Sequence, residues 1–215
     1  MGIFDSFRKH PKKSSAAFVP ELDQQTVPVS APNLDKSTPE PVDVALLQVL
    51  FQATLSEDVA HLQKVVRAFD STLSSAIISD VTHMGSSDES DASRSYSWQL
   101  TWGVHRVEVI SFNSPMPESI VEECLALASY GDDDKNRARN HKASVIMVYR
   151  EGTRNITEQF DALALVAGAL CGEGGIAVLN SNARTSLPAK MFTATNGGSP
   201  SQFLPALIAQ LTHSN

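Results

Sequence analysis

The side chains able to do chemistry in this sequence are few and far apart. Cys124 and Cys171 each fall on an apolar helical stripe. A nucleophilic thiolate needs a polar, accessible pocket and a neighbouring base, and an apolar stripe supplies neither. Both are therefore expected to be buried free thiols in a reducing compartment. Zinc needs three or four Cys or His ligands at suitable spacings, and His61, His83, His105 and His141 are too scattered to provide them. A Ser-His-Asp hydrolase would present its serine on a Gly-x-Ser-x-Gly turn. That turn is absent, and Gly197-Gly198-Ser199-Pro200 reads as a loop and helix cap. Gly172-Glu173-Gly174-Gly175 follows a helix and precedes a strand, the reverse of a phosphate-cradling loop, so it reads as a helix terminator. No cofactor and no metal are expected.

His141 is the remaining catalytic candidate. It ends a charged stretch beside Arg137 and Arg139 and precedes the apolar strand Ala143 to Tyr149. With Glu151 or Asp161 as partner, an imidazole there would serve as acid or base near neutral pH. The competing expectation is structural: a histidine that caps the strand or hydrogen-bonds the loop. Trp98 and Trp102 pose the same choice between a ligand platform and core packing of a hairpin.

The elements that would position these residues are legible from periodicity. Val44 to Thr54 reads as a buried first strand. Ser56 is placed to cap a helix carrying Val59, Leu62, Val65, Val66 and Phe69 at helical spacing. Ala76 to Val81 reads as a short strand or a continuation of that helix, and Met84 to Tyr96 as an exposed loop. Trp98, Leu100 and Trp102 alternate with polar residues, Gly103 marks a turn, and Arg106 to Phe112 returns as the second arm of a hairpin. Pro117 and Glu118 open a second helix. Tyr130 to Lys142 is a charged connector, and its acidic run Asp132-Asp133-Asp134, like Asp88-Glu89-Ser90-Asp91, is expected in a solvated loop. Asn155 or Thr157 starts a third helix, apolar around most of its circumference from Phe160 to Cys171. Ile176 to Leu179 makes a last strand, Pro188 to Phe192 one helical turn, and Pro200 to Leu211 a closing helix.

The order β-α-β-β-α-β-α-β-α implies an α+β fold with a mostly antiparallel sheet and helices on one face. Its first six elements match a ferredoxin-like split β-α-β core. The domain spans residues 42–215. Residues 1–41 are a disordered tail, because Pro, Ser, Thr, Gln and Lys there cannot bury enough apolar area to offset the entropy of ordering. Its start is different: Ile3, Phe4 and Phe7 share a helical face ahead of Arg8 and Lys9, a pattern suited to peripheral contact with a membrane surface or a partner.

The 215 residues are 42% hydrophobic and 19% charged, ordinary for a globular protein, and the net charge is −7. That charge sits in the domain and argues against a nucleic-acid binder, which needs a basic face. No apolar run reaches the roughly 20 residues that span a bilayer, no secretory signal is seen, and a cytoplasmic protein is expected.

The residues Val107 to Phe112 with Met116-Pro117, His141 with Ala143 to Tyr149, the apolar helix to Leu170, Ile176 to Leu179 and Ala189 to Phe192 together resemble the bacterial family catalogued as domain of unknown function 4261. The resemblance covers roughly residues 44–192. It implies a cytoplasmic bacterial protein, no established activity and no catalytic residues to carry over, with His141-Lys142-Ala143 as the family-like start of a strand. The expected function is a non-enzymatic protein-binding module of immunity or adaptor kind, its acidic domain meeting a basic protein partner by charge complementarity. The alternatives are a small enzyme with its site near His141 and a membrane-surface adaptor acting through residues 1–13.

Overall fold

From Ser95 to Trp102 half-buried and buried residues alternate without a break, so one face of this strand lies in the core and the other looks outward. The computed structural model describes residues 45–84, 95–193 and 200–208, and within them this strand belongs to one seven-stranded sheet. The strands are β1 (Leu46–Phe51), β2 (Ile77–Met84), β3 (Ser95–Trp102), β4 (His105–Phe112), β5 (Ala143–Glu151), β6 (Gly175–Asn180) and β7 (Thr185–Pro188). The helices are α1 (Val59–Phe69), α2 (Glu118–Ala126), α3 (Asp132–Arg139), α4 (Ile156–Cys171), α5 (Lys190–Thr193) and α6 (Leu204–Ile208). The strand order is β2-β3-β4-β5-β1-β6-β7, and every neighbouring pair is antiparallel.

The α+β class with an antiparallel sheet is therefore observed, but the internal order differs from a ferredoxin-like core. Such a core would set β1 directly against β4; here β5 lies between them. The split unit is instead β5-α4-β6, whose two parallel strands are separated by the antiparallel β1. β1 can fill that slot because it is buried toward both faces, with its one polar residue, Gln48, hydrogen-bonded to Ser181. Leu47, Val49 and Phe51 pack with α1 and α4, while Leu50 packs with α2 and α3.

That two-sidedness also corrects the expectation of helices on one face. Leu50, Ala177 and Leu179 point away from the main core, and the stripe Val121, Cys124 and Leu125 of α2, with Ala138 of α3, covers them. On the main side α4 is buried nearly all round; Phe160, Leu163, Val166 and Leu170 are inaccessible or nearly so. Each such side chain contributes about 1.5–3 kcal/mol of burial. Gly168 of α4 is where this packing is closest, since a Cβ there would lie 2.3 Å from the Phe69 ring of α1.

Local signals account for most helix ends. Asn155 accepts the Thr157 N–H and opens α4, as its side chain suits. α1 is capped not by Ser56 but by Asp58, whose carboxylate accepts the His61 N–H at 3.1 Å. The Ser56 hydroxyl accepts the Asp58 N–H instead. The charged connector contains α3, so Asp132, Asp133 and Asp134 belong to a helix's first turn and not to a loop. Carboxylates there, with Arg137 and Arg139 in the last turn, complement the helix dipole at both ends. β2 resolves the ambiguity at Ala76 to Val81 in favour of a strand, kinked where Asp80 takes a left-handed conformation and the register to β3 shifts. The tail, with Ile3, Phe4, Phe7, Arg8 and Lys9, and the acidic run at Asp88 lie outside the described residues.

Candidate functional site

His141 sits between the C-terminus of α3 and the first residue of β5 and is 4% exposed. Its Nε2 accepts the Met116 N–H at 2.7 Å, and its Nδ1 donates to the Ala138 carbonyl at 2.7 Å. These two bonds fix one neutral tautomer and use both nitrogens. Burial lowers the imidazole pKa, Lys142 lowers it further, and the Ala138 bond opposes them. The ring thus ties the segment before α2 to the end of α3. Its proposed carboxylate partners are elsewhere. Glu151 ends β5, roughly 25 Å along the strand at about 3.3 Å per residue, and pairs with Arg106 at 3.0 Å. Asp161 lies on α4, at the hairpin end of the sheet. The structure gives the His141 ring a backbone-bonding role, between Met116 and Ala138.

The cysteines are free and buried. Burial, and then Glu123, raise the Cys124 thiol to about 11, and burial raises Cys171 as well. Burial at both positions thus disfavours the thiolate that a nucleophile needs. Cys171 lines a small concavity of about 170 Å³ together with Asp134, Arg137 and Lys190. The carboxylate of Asp134 is already engaged there, by Lys190 at 2.7 Å and by Arg137 at 3.9 Å. Among the described residues no group of three or more His, Cys, Asp or Glu side chains is arranged to hold a metal ion. No helix among them is long and apolar enough to cross a membrane.

A second depression, of about 190 Å³, has a different character. It lies between the β3–β4 hairpin end, the 3-10 turn Ser71–Leu73 and α4, and its walls are Thr72, Trp102, His105, Glu158, Asp161, Ala162 and Leu165. The hairpin positions two of these. Gly103 takes φ +52 at the turn, which brings Trp102 and His105 opposite each other in register, with ring centroids 5.2 Å apart. His105 is held from behind: its Nδ1 lies 2.8 Å from the Tyr149 hydroxyl, and that hydroxyl accepts the Thr153 N–H at 2.9 Å. Burial raises the Tyr149 pKa, the Thr153 bond opposes this, and Glu158 adds to the rise. The Tyr149 hydroxyl is thus hydrogen-bonded on two sides, to His105 Nδ1 and to the Thr153 N–H. Gly152 makes this closeness possible. It takes φ +133, and a Cβ there would lie 2.3 Å from the Tyr149 hydroxyl and 2.6 Å from the Val104 carbonyl.

The carboxylates come from α4. Glu158 accepts from the Thr153 hydroxyl at 2.6 Å and from the Asn155 amide at 3.2 Å. Asp161, half-buried, has no hydrogen-bonded or ion-paired partner among the described residues. Trp102 is 4% exposed and its indole Nε1 is buried without a partner. The exposed apolar residues Val104, 71% accessible, and Ile156 belong to the hairpin turn and the first turn of α4. Trp98 packs wholly in the core, as does most of Trp102, so the pair is no open platform, although Trp102 does form part of a wall.

Sequence reasoning set Asp161 beside His141, whereas the structure places it with His105 and Thr72 in the wall of this depression. The usable signal was the spacing Glu158, Asp161, Ala162 and Leu165, one helical face on which charge gives way to apolar residues. Comparison with protein-family models, with curated proteins and with solved structures finds no match to this chain.

Proposed function

We propose that the folded domain is a non-enzymatic binding module of immunity or adaptor kind, and that its partner is a basic protein. The observation that carries this reading is Asp161. It is a half-buried carboxylate without a cation among the described residues, set beside Glu158 in a concavity with exposed apolar residues nearby. Leaving a charge unpaired in a partly desolvated place disfavours the free protein, and a cationic partner relieves that cost. The net charge of −7 favours encounter with such a partner over longer range. The small-enzyme alternative loses its support at His141, whose nitrogens are both engaged in holding the backbone. Kinship with the family of unknown function and a bacterial cytoplasmic setting remain part of the proposal.

The test is capture on the immobilised full-length protein from native lysate at low and high salt. A stoichiometric basic protein released by raising the salt is the expected result, because screening weakens an interaction of this kind. Recovery of the bare protein at every salt concentration rejects the proposal.

A further inference from the structure

We propose that Gln63 and Arg67 of α1 form a clip on the outer edge of β2, and that this clip denies the edge to a second copy of the chain. Among the described residues β2 has a neighbour, β3, on one side only. A strand so placed offers its outward N–H and C=O groups to any other extended chain. β2 is eight residues long, and its Ile77 and Val81 are 53% and 40% exposed. A long apolar edge is a template for pairing between molecules. The occupant to exclude is a second β2. Two such strands related by a twofold axis run antiparallel and bring the same residues to both sides of the junction.

The start of this edge is already bonded, and to side chains. The Ile78 N–H goes to the Gln63 amide oxygen at 2.9 Å, and the Ala76 carbonyl accepts from Arg67 Nε at 2.6 Å. Backbone groups two residues apart in a strand face the same edge, so an incoming strand would compete with both side chains. Gln63 and Arg67 stand one helical turn apart, at i and i+4, and each follows a buried residue of α1, Leu62 and Val66. The packing of α1 on the core therefore sets both at the strand. Immediately beyond, the edge loses its regular geometry. Asp80 takes φ +52, and the step from Ser79 to Thr82 on β2 matches the shorter step from Gln99 to Ser97 on β3. The Asp80 carbonyl also accepts from the Thr82 hydroxyl at 3.4 Å. A bulge of this kind turns an edge away from flat pairing. Clip and bulge lie end to end, and together they cover the segment from Ala76 to Thr82 that carries both exposed apolar residues.

The test is the oligomeric state of the full chain by sedimentation velocity over a range of concentrations, read together with hydrogen exchange at the Ile78 amide. The parent is expected to sediment as a monomer. In Gln63→Ala/Arg67→Ala the mass should rise with concentration towards that of a dimer. Adding Val81→Lys, which puts a lysine on each side of the junction, should return it to the monomer. Where the double variant is still monomeric, its Ile78 amide should exchange about fivefold faster than the parent's, as loss of one neutral hydrogen bond requires. Asp58→Ala loosens α1 by removing its cap but leaves the edge bonded, and it should stay monomeric, which separates edge pairing from general destabilisation. Should the double variant not fold, Gln63→Ala alone carries the same two readouts. A parent that associates until Val81→Lys is introduced overturns the proposal, because the edge is then open. So does a double variant that stays monomeric although its Ile78 amide exchanges faster, or one whose association Val81→Lys does not reverse. An unchanged Ile78 exchange rate overturns it as well, since Gln63 then does not hold this amide.

Discussion

Replacing His141 isolates how a buried histidine can be indispensable without doing chemistry. In His141→Ala the Met116 N–H loses its acceptor inside the protein, while the Ala138 carbonyl still accepts backbone N–H groups from Asn140 and His141. An orphaned buried donor costs about 1–3 kcal/mol, and the cavity left by a ring that is 4% exposed adds about 1–2 kcal/mol. The sum is about 3 kcal/mol, equivalent to a fall in Tm of about 6–12 °C for a domain of this size. His141→Gln can still accept from Met116 through its amide oxygen and is expected to lose only about 1 kcal/mol, the neutral hydrogen bond being retained. The pH dependence adds a second signature. The folded-state pKa of His141 lies below the unfolded value of 6.5. Its neutral form therefore contributes full stability above about pH 6.5, and this is lost as pH falls through the lower folded value. Urea unfolding at pH 7.5 and at several lower pH values measures both effects. The difference between parent and His141→Gln should narrow as the pH is lowered. Loss of less than 1 kcal/mol in His141→Ala, or parallel pH profiles for parent and His141→Gln, would show that the imidazole is not the neutral acceptor described here.

Gly152→Ala must place a methyl group 2.3 Å from the Tyr149 hydroxyl at φ +133. It should destabilise by about 2–4 kcal/mol and break the Tyr149–His105 bond, seen as a changed His105 ring signal by NMR. Asp58→Ala removes the cap of α1 and should cost about 1 kcal/mol in chemical denaturation, with Asp58→Asn close to neutral. Cys124, raised to about 11, should resist a thiol reagent at pH 8 until denaturant is added; rapid labelling of the native protein would contradict its burial.

Periodicity made the sheet and the large helices legible because burial writes them into the sequence. Trp98, Leu100 and Trp102 enter the core at period two, and Leu163, Val166 and Leu170 at helical spacing. α3 escaped because only Ala138 of its eight residues is buried, which leaves no apolar stripe to read; its signature was the sorting of acids and arginines between its ends. β7, with four residues, is too short to show a period. Strand order was beyond reach, since β1 reads as a central strand wherever its two neighbours come from. The site was legible only in part for the same reason. Helical spacing groups Glu158 with Asp161, but it takes the pairing of β4 with β5 to bring His105 within 2.8 Å of Tyr149.

The central position of β1 has a consequence for how the protein comes to be made. Its neighbours are β5, starting at Ala143, and β6, starting at Gly175. A ribosome must therefore pass from β1 to β5 before Leu47 and Val49 find a strand to pair with, and go on to β6 before the second side closes. Folding that waits on contacts so distant in sequence is slow, and the waiting segment is a sticky one. The hairpin of β3 and β4, closed by two residues, is complete long before and offers the natural surface on which β5 condenses. Slowing translation after β6 should therefore leave soluble yield untouched, whereas a pause after β1 and before β5 that is long enough to admit a second nascent chain should promote aggregation.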